Sequence, residues 1–319
     1  MIKRTLYFGN PCYLFSKDKQ LYIKLNENTK PSESVFDNLK YKIPIEDIGL
    51  VILDNYGITM SQYLLSSLLE NNVAVVVCNS SHMPNGMFLN LDSNTLQSKL
   101  FTFQINASKP LKNQLWQQTV SAKISNQSRL LKLRGIKSDN MDKWIKDVVS
   151  GDRKNVEAKA AVFYWKNLFL DKNDFYRDRF GPPPNNLLNY GYAILRAITA
   201  RSISGSGLLP TLGIHHSNKY NSYCLADDIM EPYRPFVDKI ICDIIDLNSG
   251  DIELNPDTKV KLLEISTSDV FISGERSPLS IAMQRTTSSL SKCYEGTSRK
   301  IIFPEFCDID LLKKKRKHY

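Results

Sequence analysis

Closely paired cysteines are missing from this chain, and histidines are few. Only four histidines occur in 319 residues, and no two of the six cysteines form a C-x-x-C pair. That argues against a structural zinc module, which needs closely spaced Cys and His ligands. Cys12, Cys78, Cys224, Cys242, Cys293 and Cys307 read instead as reduced thiols of a cytoplasmic protein, several in apolar settings such as Val77-Cys78 and Ile241-Cys242. Long hydrophobic runs are missing as well. The best candidate, Val73 to Cys78, falls far short of the ~20 residues that span a bilayer and reads as a buried strand, so no membrane role is expected. At the start, Leu6-Tyr7-Phe8 is cut off by Gly9, Asn10 and Pro11, which argues against a secretory signal.

The most informative absence is of negative charge. No acidic residue lies between Asp92 and Asp139, while the same stretch holds Lys99, Lys109, Lys112, Lys123, Arg129, Lys132, Arg134 and Lys137. It also carries the amides Gln104, Gln114, Gln117, Gln118, Asn126 and Gln127. Surface helices usually mix charge signs because i,i+4 pairs help them, so a one-sign helix with amide donors suits phosphate oxygens. Lys123, Arg129, Lys132 and Arg134, with Arg196 further on, are the candidate DNA contacts; the plain alternative is a solvated basic face without a ligand. A net charge of +9 and a pI near 9.1 also favour an acidic partner, nucleic acid first. The basic tail Lys313-Lys314-Lys315-Arg316-Lys317 adds non-specific phosphate attraction.

What is present divides the chain into an α+β protein: a β-rich domain over 1–92, then a larger all-α domain over 93–319. Strands are predicted at Thr5 to Phe8, Tyr13 to Phe15, Leu21 to Leu25, Ile43 to Ile45, Gly49 to Leu53, Val73 to Cys78 and Met87 to Leu91. The polar Lys17-Asp18-Lys19-Gln20 makes the second and third a hairpin. Ser61 to Leu69 has helical spacing. Beyond Thr95 the helical period dominates.

Three segments carry the chemistry. In the first, Asp152 caps a helix running to about Leu170, on which Glu157, Ala161, Tyr164 and Leu168 share one face. Glu157 is then an acid in an apolar arc, where a carboxylate needs a metal or a salt bridge to an arginine of a neighbouring helix. The second is Leu209-Pro210-Thr211-Leu212-Gly213-Ile214-His215-His216, with adjacent histidines after a glycine that permits a close backbone approach. The third is Asp227-Asp228-Ile229-Met230-Glu231, which places Glu231 fifteen residues after His216. Two glutamates and a histidine suit Mg²⁺ or Mn²⁺ better than zinc, and no H-E-x-x-H pair occurs. Asp227 reads as a helix-capping acid. Asp228 is a supporting candidate, as are Tyr164 and, on a helix from Asn185 to Ser204, Asn189. On that helix Gly191, Ala193, Ala197 and Ala200 permit close packing.

Together these segments resemble the CRISPR-associated endonuclease "Cas one", the integrase subunit of the spacer-acquisition machinery. The residues that carry the likeness are Gly151-Asp152 through Glu157 to Tyr164-Trp165, Asn185 to Tyr192, Gly213 to His216, and Asp228-Ile229-Met230-Glu231-Pro232-Tyr233-Arg234-Pro235. Ile43 to Ile48 is similar to the family's β domain. The nearest form is that of type II systems. The resemblance implies metal binding and catalysis by Glu157, His216 and Glu231, and the family's glycine-to-histidine spacing selects His216 over His215. It implies a homodimer through the β domains, two such dimers bridged by the small partner "Cas two" into a heterohexamer, double-stranded protospacer and repeat DNA as substrate, and the type II effector nuclease as a further candidate partner. The implied reaction joins captured DNA into a CRISPR array by attack of a 3′-hydroxyl on a phosphodiester. A metal-free basic DNA scaffold and a purely hydrolytic DNase are the alternatives.

Overall fold

The computed structural model describes residues 3–25, 41–169, 175–247 and 253–306. Cys307 and the basic tail lie outside them. The chain divides into two compact units, Met1–Thr95 and Leu96–Tyr319.

The N-terminal unit runs β1 (Arg4–Phe8), β2 (Cys12–Lys17), β3 (Gln20–Leu25), β4 (Tyr41–Pro44), β5 (Ile48–Leu53), β6 (Thr59–Met60), α1 (Gln62–Glu70), β7 (Ala74–Cys78) and β8 (Pro84–Phe88). Two four-stranded sheets result, ordered β1-β5-β7-β8 and β4-β3-β2-β6. β1, β5 and β7 are parallel, and β5 is buried almost throughout, as strands covered on both faces are. The β2–β3 hairpin closes with Lys17 opposite Gln20. Its two turn residues, Asp18 and Lys19, both have positive φ (51° and 58°), as a tight hairpin turn with the strands' own twist requires. Ser61 caps α1 by accepting from the Leu64 amide, and Leu64 and Leu68 enter a core with Leu14, Leu21, Ile48 and Val75. The last strand is Pro84–Phe88 rather than Met87 to Leu91. Antiparallel pairing to β7 sets its place despite poor strand formers at Pro84, Asn85 and Gly86.

The C-terminal unit runs α2 (Gln97–Ile105), α3 (Lys109–Leu133), α4 (Asp139–Asp147), α5 (Val156–Leu168), α6 (Asn185–Gly205), α7 (Cys224–Met230), α8 (Arg234–Leu247), α9 (Pro256–Leu263), β9 (Asp269–Ile272), β10 (Glu275–Pro278) and α10 (Leu279–Tyr294). It is predominantly helical, but the β9–β10 hairpin, turning at Ser273-Gly274, adds strands where helices alone were expected. α6 is buried along most of its length and packs against α7, α8, α9 and α10. Gly191 sets its approach to α8: a Cβ there would stand 2.5 Å from Val237 Cγ1. The half-exposed stripe on α6 is Asn186, Asn189, Ala193 and Arg196. The five described cysteines are buried free thiols. Among the described residues no helix is long and apolar enough to cross a membrane.

Candidate active site

Glu157 is the second residue of α5, and the start of that helix is held from upstream. The Asp152 carboxylate accepts the amides of Val156 and Glu157, each at 3.0 Å. Asp152 therefore caps the helix, but from behind a turn in which Gly151 and Asn155 adopt positive φ (73° and 51°). Glu231 begins the short 3₁₀ turn Glu231–Tyr233 that joins α7 to α8.

Both carboxylates meet one cation. Lys123, midway along α3, places Nζ 2.7 Å from Glu157 Oε1 and 2.6 Å from Glu231 Oε2. Its side chain is only 13% exposed. The salt bridge expected of Glu157 as the alternative to a metal thus exists, with a lysine rather than an arginine. Arg234 Nη2 lies 3.0 Å from the other Glu231 oxygen. Burial works against charge on both Glu231 and Lys123. The positive charges of Arg234 and Lys123 nevertheless hold Glu231 below the usual carboxylate range, and the two glutamates hold the Lys123 ammonium above its ordinary value.

His216 is set by Asp228. This wholly buried carboxylate accepts the backbone amides of Ile214 (2.6 Å), His215 (2.9 Å) and His216 (3.3 Å), and contacts His216 Nδ1 at 2.5 Å. In the tautomer whose Nδ1 hydrogen points at Asp228, the neutral ring presents the Nε2 lone pair. The loop closes this tightly only with glycine at 213, where a Cβ would stand 2.2 Å from the His216 carbonyl oxygen and 2.9 Å from Asp228 Oδ2. The Asp228 hydrogen bond raises the proton affinity of His216; partial burial opposes it, and the charges of Asp228, Glu231 and Glu157 add to it. His215 instead stacks flat on Trp116, with centroids 4.3 Å apart. The same tryptophan meets His216 edge-on at 5.7 Å.

Behind the carboxylates lies a buried network. Tyr164 and Tyr192 donate to the two oxygens of Asp238 at 2.6 and 2.5 Å. The Arg234 guanidinium stands over the Tyr192 ring at 4.7 Å. Burial pushes Asp238 up to about 6, against both hydrogen bonds and the charges of Arg234 and Arg177. Tyr164 therefore reaches Glu231 only indirectly, through Asp238, Tyr192 and Arg234.

The model "CRISPR associated protein Cas1" matches residues 6–263. The CRISPR-associated endonuclease Cas1 of Neisseria meningitidis is 32% identical over 291 residues, covering 91% of each chain. The chain belongs to the Cas1 family. A solved casposase bound to its integration product superposes with a TM-score of 0.76 at 21% identity, covering 94% of this chain and 92% of that one. A chain of a Cas6-RT-Cas1–Cas2 complex matches with a TM-score of 0.70 at 19% identity, over 96% of this chain and 36% of that one. These two likenesses establish a shared Cas1-type fold.

Within this Cas1 chain the donors proposed to hold a metal, two glutamates and an imidazole, are of the hard oxygen and nitrogen kind that suits Mg²⁺ or Mn²⁺. Glu231 Oε2 is buried and faces the Lys123 ammonium at 2.6 Å. Two carboxylate oxygens already converge on one positive charge, and to that extent the residues fit a cation. As placed, the described residues form no group of three Asp, Glu, His or Cys side chains in metal-binding array, and the cation between the carboxylates is Lys123.

The remaining candidates are occupied elsewhere. Lys123, grouped with the DNA contacts, is sealed among acids because α3 turns this face inward. Arg129 pairs with Glu305 and with the Phe306 carbonyl, Lys132 with Asp142, Arg134 with Asp246, and Arg196 with Asp227. Asp227, read as a capping acid, is an ion-pair partner that also accepts from Asn221. Asn189 accepts from Arg177 and donates to the Arg179 carbonyl, so it tethers that segment. Most of the amides expected to face phosphates serve the fold. Gln104 bonds the Leu209 and Leu212 carbonyls, Gln117 the Val148 carbonyl, and Gln118 the Arg299 carbonyl. Asn126 bonds the Pro232 and Pro304 carbonyls. Sequence reasoning missed Arg234 and Asp238 as site residues, since neither has local periodicity that marks it.

Proposed function

We propose that this chain is a metal-dependent DNA endonuclease and integrase that joins captured DNA fragments into a CRISPR array. The observation that carries the reading is the meeting of Glu157 and Glu231 on one cation, beside a histidine held by a buried carboxylate, in a chain of the Cas1 family. In the reaction a fragment's 3′-hydroxyl attacks a phosphodiester at a repeat border. One P–O bond forms as another breaks, and the proton lost by the attacking hydroxyl is matched by one gained by the departing 3′-oxygen. One diester replaces another, so the exchange needs no nucleotide energy source.

Glu157, Glu231 and His216 are the residues that would hold Mg²⁺ or Mn²⁺, which when bound activates the attacking hydroxyl and neutralises charge developing on the phosphate. Asp228 fixes the ring so that Nε2 is the nitrogen offered. Arg234 holds the Glu231 carboxylate, and Asp152 holds the backbone amide of Glu157. The surface pairs of Arg129 and Lys132 open to phosphate oxygens at little cost, since exposed pairs contribute about 0–1 kcal/mol each, whereas Arg134 is part-buried and Arg196 pairs with a buried Asp227. A homodimer and a heterohexamer with the small Cas2 partner complete the proposal, supported by the fold shared with a Cas1–Cas2 assembly.

The test is integration of a labelled DNA fragment into a repeat-bearing plasmid, with Cas2 present and Mg²⁺ or Mn²⁺ titrated. Metal-dependent joined product supports the proposal. DNA binding without chemistry in either metal would indicate a scaffold. Cleavage without joining, and without reversal on branched DNA, would indicate a hydrolytic DNase.

A further inference from the structure

Lys123 stands where two acidic oxygens converge, 2.7 Å from Glu157 Oε1 and 2.6 Å from Glu231 Oε2. With Arg234 on the remaining Glu231 oxygen, the formal charges of two carboxylates and two cations cancel. A divalent ion approaching the same oxygens meets repulsion from an ammonium already in contact with them, and at short range in a half-dry site that repulsion is large. The two resident cations differ in freedom. Arg234 is packed over the Tyr192 ring, whereas Lys123 carries a compact charge on a flexible four-carbon stem that can swing. Lys123 is therefore the cation that can leave. A phosphate brought into the site by DNA is an anion ready to receive it.

We propose that Lys123 is an internal counter-ion that competes with the divalent metal for Glu157 and Glu231, and that entering DNA phosphate relieves the competition by taking up the ammonium. The inference rests on the reading that Glu157, Glu231 and His216 hold the metal. Metal and DNA then bind cooperatively, and each strengthens the other by the same factor. Metal loading without DNA is suppressed, which limits hydrolysis before a joining partner is in place.

The test measures Mn²⁺ affinity of the full chain by calorimetry, with and without a duplex whose 3′ ends lack hydroxyls. For the wild-type protein, duplex should tighten Mn²⁺ binding about 10-fold or more. Lys123→Gln should bind Mn²⁺ more tightly without DNA and gain little from duplex, while Lys123→Arg, which keeps the charge, should keep Mn²⁺ binding weak without DNA. A second measurement needs no variant: acetylation of the Lys123 amine, followed by mass spectrometry, should be slow without metal and rise several-fold in saturating Mn²⁺. Equal Mn²⁺ affinity of wild type and Lys123→Gln, or acetylation indifferent to Mn²⁺, overturns the proposal and leaves the metal site standing. Absence of Mn²⁺ binding in wild type and both variants overturns the metal reading and this inference together.

Discussion

Helix α3 carries two lysines from one acid-free stretch in opposite surroundings. Lys123, midway along it, is 13% exposed and touches two carboxylates. Lys132, near its C-terminal end, is 44% exposed and pairs with an Asp142 that is 47% exposed. Deleting one member of a buried ion pair strands the others, at a cost of roughly 3–5 kcal/mol. An exposed pair contributes roughly 0–1 kcal/mol and weakens with salt. Charge pattern identifies the segment as basic but does not separate these cases. Burial decides which cation organises a site and which stays available to phosphate.

The largest effects are expected at the buried site. Substituting His216 by Ala should reduce joining by more than about 100-fold, beyond the 10–100-fold typical of losing an outer partner of a metal ligand, while gel-shift affinity for duplex DNA stays within a few-fold. Wild-type integration by that variant would remove His216 from the site. Asp228→Asn should cost about 10–100-fold in joining, because the amide cannot accept from three backbone amides and the imidazole as a carboxylate does. Metal affinity measured beside activity distinguishes this from a folding defect.

Asp238 couples stability to pH. Its folded value of about 6 lies above its ordinary 3.8, so the native state holds the proton more tightly than the unfolded chain. The contribution is present in full below the ordinary value and is lost as pH rises through about 6. Relative to wild type, Asp238→Asn should therefore gain up to roughly 3 kcal/mol between pH 4 and 7, read as the difference of the two stability curves. A constant difference across that range would show that Asp238 does not titrate there. The smallest effect lies at the exposed end. Lys132→Ala should change stability by less than about 1 kcal/mol and lower the salt dependence of DNA binding by about one phosphate contact. A large loss of stability would erase the distinction between the two lysines.

Much of the fold was legible because local signals agreed with the tertiary structure. Lys17-Asp18-Lys19-Gln20 separates two apolar runs and is the hairpin turn. Gly191 of α6, one of its small residues, is where α8 comes close. Elements that depend on distant pairing were not legible. Thr59–Met60 is a strand because β2 offers an edge, and the β9–β10 hairpin is only four residues a side. In the site, Glu157, His216 and Glu231 were grouped by family resemblance, and residue types alone left Glu157 open between a metal and a salt bridge. Nothing local marks Lys123 as different from Lys132, since both are basic residues of one helix. The amides of the same stretch misled for a related reason: a buried amide and a phosphate-facing one look alike in sequence, and Gln104 and Asn126 proved to join segments over a hundred residues apart.

Two glutamates and one histidine are proposed to converge on a divalent cation at the place Lys123 now bridges. Anomalous diffraction from crystals of the full chain loaded with Mn²⁺ tests it most directly. The expected result is a manganese peak bounded by Glu157, Glu231 and His216 Nε2, with the Lys123 ammonium moved off both carboxylates. Manganese bound elsewhere, with Lys123 still bridging Glu157 and Glu231, would contradict it.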